Sequence, residues 1–215
     1  MKKGLTEMVF ILDRSGSMNG LEADTIGGFN GMLEKQKKEE GEAIITTVLF
    51  DDQYELIHDR FNINAVDKMT DKEYYVRGCT ALLDAMGSTI QKIINVQKHL
   101  PECEQAEHVI FVTITDGYEN ASSRYSSSEV KKMISEKQEK NGWEFVFLGA
   151  NIDAVETAKS FGIREEMAVD YLADAEGTKA NYASVAKAIS GVRSFGRVTE
   201  DWAEAAREDY KKRKK

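Results

Sequence analysis

The feature that most constrains the fold is a set of short apolar runs, each without a polar break. Met8–Leu12 (MVFIL) is one, and HVIFVTIT and WEFVFLGA, farther along, are two more. A strand with one wet face alternates apolar and polar residues, whereas an unbroken run belongs to a central strand covered on both sides. Ile44–Phe50 is β-branched and apolar and reads as a further strand, DDQ (51–53) as a tight turn, and YELIHDRF as the return strand of an antiparallel hairpin. MAVDY supplies a last, short strand.

Helix-period segments lie between these runs. Leu21, Thr25, Phe29, Met32 and Leu33 share one face, and Gly41 is expected to end that segment. Residues 62–79 read as a loop with a short helical turn. From Thr80, Leu82, Leu83, Met86, Ile90 and Ile93 or Ile94 mark the buried face of a second helix. Ser126 with Glu129, and Asp153 with Glu156, have capping-box spacing before two further helices. Tyr182, Val185, Ile189 and Val192 mark another. The order β α β β α β α β α β α predicts an α/β, Rossmann-like doubly wound sheet, mostly parallel with one antiparallel edge strand and helices on both faces. One domain is expected over 1–197, followed by a charged C-terminal helix or tail over 198–215, where Trp202 marks docking onto the domain or onto a partner.

Composition narrows the function classes. A formal net charge of −8 over 215 residues argues against general affinity for nucleic acid or anionic membranes. Cys79 and Cys103 are too few for a disulfide framework and form no CxxC pair, so both are expected as free thiols. The opening MKKGLTEMVFILD has too short an apolar run for a signal peptide, and no stretch is long enough to span a bilayer. A cytoplasmic location is expected.

In open α/β sheets ligands bind outside the carboxyl ends of the strands. Three polar pieces fall there: Asp13, Ser15 and Ser17 after the first strand, Thr80 at a helix start, and Asp116 at the end of HVIFVTIT. All five are small oxygen donors, which suits a hard cation: Mg²⁺ first, with Mn²⁺ or Ca²⁺ as alternatives. The D-x-S-x-S run can aim alternate side chains at one point, with Arg14 facing away and Gly16 easing the turn. Each piece also has a plain reading. Asp13 can begin a turn, Ser17 or Thr80 can cap a helix, and Asp116–Gly117 can be an ordinary turn.

DRSGSM, the threonine of GCTALLDA and the aspartate of TITDGYEN together resemble the metal-ion-dependent adhesion site of von Willebrand factor type A domains. The resemblance runs from about Thr6 to Phe195. It implies direct metal contacts from Ser15, Ser17 and Thr80, and contacts from Asp13 and Asp116 directly or through water. It also implies a stand-alone bacterial or phage-type member, acting as a protein-binding module. A partner's Asp or Glu would complete the metal shell, the partner being an AAA+ ATPase or a stress-response component.

An Mg²⁺-dependent hydrolase or phosphotransferase is the competing reading. Against it, Ser15 stands where a phosphoaspartate phosphatase has its second aspartate, and neither GxxxxGK[ST], GxGxxG after a strand nor GxSxG occurs. No general base stands out, so no catalytic residue and no enzymatic activity are expected. Asp84 is read first as favouring its helix dipole, with support of the metal ligands as its other reading, Asp153 as a cap, and Glu119, Asn120 and Asn151 as loop residues near the rim. His58, His99 and His108 receive no role. The five ligands are expected as crevice residues near the surface, replaceable without harm to the core.

Overall fold

A computed structural model describes residues 1–214; Lys215, which closes the basic KKRKK stretch, lies outside the described residues. A six-stranded sheet forms the centre. Its strands are β1 (Lys2–Asp13), β2 (Glu42–Phe50), β3 (Tyr54–Asn62), β4 (Ala106–Thr115), β5 (Glu144–Gly149) and β6 (Ala168–Asp170). Their spatial order is β3-β2-β1-β4-β5-β6. Only the β2–β3 pair is antiparallel, at one edge. The doubly wound α/β sheet expected from the apolar runs is therefore the observed architecture.

The helices are α1 (Glu22–Gln36), α2 (Leu82–His99), α3 (Ser127–Asn141), α4 (Ala154–Ser160), α5 (Ala175–Phe195) and α6 (Glu204–Arg213). Right-handed crossovers require the link from β1 leftward to β2 and the links rightward to β4 and β5 to lie on opposite faces. Hence α1 covers one face, where α5 packs beside it, and α2 and α3 cover the other. Phe10 of β1 meets Phe29 of α1 edge to face, with ring centroids 5.4 Å apart, in the first of these layers. Met8, Val9, Phe10, Ile11 and Leu12 are all buried, as a strand between two parallel neighbours must be.

Local chemistry sets the element ends. Ser126 and Glu129 form the complete reciprocal capping box of α3, and Gly142 closes that helix in the left-handed conformation. Asp153 accepts from the Glu156 amide to cap α4. The helix α1 stops at Gln36, short of Gly41. The guanidinium of Arg193 donates to the carbonyls of Gln36, Glu39, Glu40 and Gly41, and so satisfies groups that a helix end leaves free. After α5 the chain turns back. Trp202 is buried and its indole N–H donates to the Glu166 carbonyl at 2.9 Å, while Ala203 and Ala206 are buried beside it. The charged C-terminal segment thus packs on α5 and β6 as a helix. Cys79 and Cys103 are free and exposed. Among the described residues no helix is long and apolar enough to cross a membrane.

Candidate metal centre

β1 and β4 lie side by side in register, Leu12 against Ile114. Both strands end at the same edge of the sheet, so Asp13 and the Thr115–Asp116 pair arrive together. One Asp13 oxygen accepts from the Thr115 hydroxyl at 2.5 Å, and the other accepts from the Ser15 amide at 2.7 Å. The second bond is an Asx turn, the local reason the chain reverses here. The Asp13 carbonyl accepts from the Tyr74 hydroxyl at 2.5 Å. Gly16–Met18 then forms one 3-10 turn, closed by the Met18 amide on the Ser15 carbonyl.

That turn aims its two serines at one point. The Ser15 and Ser17 hydroxyl oxygens are 3.0 Å apart, and the Thr80 hydroxyl donates to Ser15 at 2.9 Å. Thr80 is not the helix cap it was free to be. The cap position of α2 is Ala81, and the first-turn amides of Leu83 and Asp84 donate to the side chains of Glu119 and Ser122 instead. Nor does Ser17 cap α1, whose cap residue, Leu21, makes no side-chain cap bond. The plain readings of these two residues therefore fail, and their hydroxyls are left for the crevice.

Asp116 completes the set. Its carboxylate is buried, at 3% exposure for the residue, and neither oxygen has a hydrogen-bond partner. The loop that carries it is fastened to α2. The Asn120 side chain accepts from the Thr80 amide, and Asp84 accepts from the amides of Ser123, Arg124 and Tyr125. Burial pushes the Asp84 carboxyl up, but those three amides outweigh it and hold the group below the usual range. Asp84 and Glu119 thus secure the Asp116 loop, which goes beyond a dipole role for one and a rim position for the other. Asn151, with φ at +55°, lines the crevice from the β5 end.

All five sequence-predicted residues converge, and four of them are buried rather than on the surface: Asp13, Ser15, Thr80 and Asp116 are each 3% exposed or less, while Ser17 is exposed. The expectation that the ligands lie near the surface is corrected accordingly for those four. Burial raises the Asp13 carboxyl from 3.8 to about 6 against the pull of its Thr115 and Ser15 bonds, with the charge of Asp116 adding to the rise. Burial likewise raises Asp116, opposed by the nearby Ser17 hydroxyl, which stands outside hydrogen-bond geometry. No cationic side chain of the described residues offsets either group.

Two buried carboxylates without a counter-charge are costly unless a cation joins them. The donor set fits a hard divalent ion: Asp116 offers two bare oxygens, and three mutually close hydroxyls line the same crevice. Gly117 shows how close the walls are. A Cβ at that position would stand 2.8 Å from the Thr80 hydroxyl and 2.9 Å from that of Ser17. Among the described residues no three His, Cys, Asp or Glu side chains gather as a metal site, so the donors are carboxylate and hydroxyl rather than thiolate or imidazole. Above them opens a crevice of about 440 Å³ walled by Gly78, Cys79, Gly117, Tyr118, Asn120 and Asn151.

Sequence reasoning missed the supports. Thr115 and Tyr74 both hold Asp13, and neither is one of the five predicted ligands, although Thr115 stands inside TITDGYEN. Arg14 does turn away from the metal point, as expected, yet it is fully buried against Asp51.

The fold is of a known class, the von Willebrand factor type A fold. Solved structures of that class match most of the chain. Manganese-loaded TRAP protein of Plasmodium vivax superposes with a TM-score of 0.59 at 17% identity, covering 84% of this chain and 72% of that one. A von Willebrand factor type A structure from Catenulispora acidiphila gives 0.56 at 13%, covering 94% and 42%. Proximal thread matrix protein 1 of the mussel byssus, with a zinc-occupied MIDAS motif, gives 0.56 at 16%, covering 84% and 44%. The chain thus spans less than half the length of the latter two. At these identities the likeness establishes the fold. No protein-family model matches the sequence, and no curated protein matches it.

Proposed function

We propose that this chain is a metal-dependent protein-binding module. The observation that carries the reading is the bare, buried carboxylate of Asp116 in one crevice with the clustered hydroxyls of Ser15, Ser17 and Thr80. Those four residues and Asp13 would hold the ion, with Mg²⁺ preferred for its fit to small hard oxygen donors and Mn²⁺ as its substitute. Bound metal supplies a strong, removable positive charge at the floor of an open crevice. The chain's own residues do the rest. Asp13 fixes the turn, Thr115 fixes Asp13, and the Asn120 loop holds Thr80 in line. The open crevice leaves room for an Asp or Glu of a protein partner to reach the metal.

Likeness to metal-loaded structures of the same fold supports this reading. The partner is proposed as an AAA+ ATPase or stress-response component of the cytoplasm, with no nucleic acid and no membrane involved. No catalysis is proposed, because both buried carboxyls, Asp13 and Asp116, are assigned to the metal. Titration of Mg²⁺ and Mn²⁺ into the chelated protein tests the core of the proposal. Saturable one-site binding, lost in Asp116→Ala, is the expected result. Metal-dependent turnover of a phosphate ester that vanishes with Asp116→Ala would instead support a hydrolase.

A further inference from the structure

The two loops that carry the hydroxyl ligands are joined by a buried ionic clamp lying outside the ligand set. Asp51 follows β2 and is fully buried. One of its oxygens accepts from the Arg14 Nε at 3.0 Å and from the Arg77 Nε at 2.6 Å, and the other accepts from the Gln53 amide at 2.6 Å. Arg14 sits between Asp13 and Ser15, so it belongs to the serine turn. Arg77 stands just ahead of Gly78 and Thr80. The backbone repeats the connection: the Arg77 amide donates to the Arg14 carbonyl at 2.9 Å, the Gly16 amide to the Gly78 carbonyl at 3.2 Å, and the Ala81 amide to the Asp51 carbonyl at 2.9 Å. Gly78, with φ at +67°, runs so close that a Cβ would stand 2.0 Å from an Asp52 side-chain oxygen and 3.2 Å from the Asp51 Cβ.

The geometry points to Asp51 as a positioning residue of the metal centre, setting through Arg14 and Arg77 the spacing between the Ser15–Ser17 turn and Thr80. This inference rests on the metal-binding reading for its consequence, though the clamp itself is independent of metal. Arg14 is wholly buried and its Nη1 reaches Glu55 at 2.7 Å, so its charge is neutralised by Asp51 and Glu55 alone. Arg77 is part-exposed and lies over the Tyr75 ring, with its guanidinium carbon 5.5 Å from the centroid; Arg14 lies 5.4 Å from the same ring. The arm to Thr80 can therefore be cut at Arg77 while the buried Arg14–Asp51 pair is left whole. A buried pair of this kind is weak evidence for added net stability, and groups that orient metal ligands affect affinity although they never touch the ion.

The test uses the full chain and Mn²⁺ as probe. Asp51→Asn strands the buried Arg14 charge and risks misfolding, so Arg77→Ala is the main variant and Arg77→Lys the conservative one. Arg77→Ala should bind Mn²⁺ roughly tenfold more weakly with an unchanged circular dichroism spectrum, and Arg77→Lys should recover part of the loss. In a Thr80→Val background the effect of Arg77→Ala should disappear, because the hydroxyl it positions is gone. Amide hydrogen exchange in the metal-free protein gives an independent readout: the Gly16 and Ala81 amides should exchange faster in Arg77→Ala. If exchange quickens but Mn²⁺ affinity holds, the positioning role is overturned. If neither changes, the clamp itself is overturned. If the wild type binds no Mn²⁺ while exchange still quickens, the clamp stands and the metal-binding reading fails.

Discussion

The ends of β1 and β4 make an instructive pair. Each neighbouring strand delivers a buried aspartate to the same crevice, Asp13 at 1% exposure and Asp116 at 3%. Asp13 is bonded at both oxygens, to Thr115 and Ser15, and its carbonyl is held by Tyr74. Asp116 is bonded at neither. Burial alone therefore does not distinguish a structural carboxylate from one poised for a ligand; hydrogen bonding does. Asp13 shapes the turn that aims the serines, and Asp116 keeps its acceptors free.

The sharpest way to break this comparison is to truncate each residue in turn. Asp116→Ala removes bare acceptors and no scaffold bond. Its metal binding should fall by well over the roughly 10–100-fold typical of groups that only orient ligands. Its metal-free melting temperature should match or exceed the wild type. Asp13→Ala strands the Ser15 amide and leaves the Thr115 hydroxyl only the Gly117 carbonyl at 3.2 Å, and an unsatisfied buried donor costs about 1–3 kcal/mol. Measured near pH 4, where protonation removes the folding penalty of both carboxyls, a drop in metal-free stability is therefore expected at 13 but not at 116. Equal losses at both positions, measured by urea denaturation, would erase the distinction.

Asp13→Asn separates charge from shape. An amide oxygen can still accept from Ser15, and its N–H₂ can donate to Thr115, whose hydroxyl can turn toward the Gly117 carbonyl 3.2 Å away. What is lost is the buried charge. A carboxyl raised from 3.8 to about 6 on folding opposes the metal-free fold by about 3 kcal/mol at neutral pH. Asp13→Asn should thus bind metal poorly, yet in chelator at pH 8 it should be more stable than wild type by ~1–3 kcal/mol. A less stable variant would mean that the hydrogen bonds of Asp13, rather than its charge, dominate at that site.

The same linkage sets a pH dependence. The folded-state value of Asp13 lies above its unfolded one, so the stability attached to protonation is fully present below about pH 4 and is lost as pH rises through about 6. Asp116 moves in the same direction. The stability difference between chelated wild type and Asp13→Asn should widen across that window and level off above it. Metal competes with those protons, so Mg²⁺ affinity should climb as pH rises toward 6 and flatten beyond. Affinity that is level from pH 5 to 8 would show that the carboxylates are already ionised without metal.

Much of this centre was legible because its ligands are short polar interruptions at the ends of apolar runs. Asp13, Ser15, Ser17, Thr80 and Asp116 stand out for that reason, and Ser126 with Glu129 announces a helix start by spacing alone. The supports were hidden because their partners are distant in sequence: Arg14 meets Asp51 at a separation of 37 residues, and Arg77 meets it at 26. Thr115 is masked by the apolar strand it ends, where a threonine reads as β-propensity. The length of β1 was also masked, since KKGLTE does not look buried, yet Glu7 is enclosed with Arg60 as its ion-pair partner at 2.9 Å. Pattern reading locates elements and exposed chemistry; it does not see which polar pairs tertiary contact closes.

The smallest expected effect probes how tightly the two strand ends are set against each other. Gly117 follows Asp116 and faces the hydroxyls of Thr80 and Ser17, where a Cβ would stand at 2.8 and 2.9 Å. Its φ lies outside the left-handed region, so the obstacle to a side chain is space rather than backbone strain. Gly117→Ala should displace those hydroxyls by a few tenths of an ångström without unbonding Asp13. Metal affinity should then fall only severalfold, a loss of about 1 kcal/mol, with near wild-type stability in chelator. Retention of full affinity would mean that Ser17 and Thr80 can yield without leaving the metal. Complete loss would place the hydroxyls, rather than the bare carboxylate of Asp116, in control of the site.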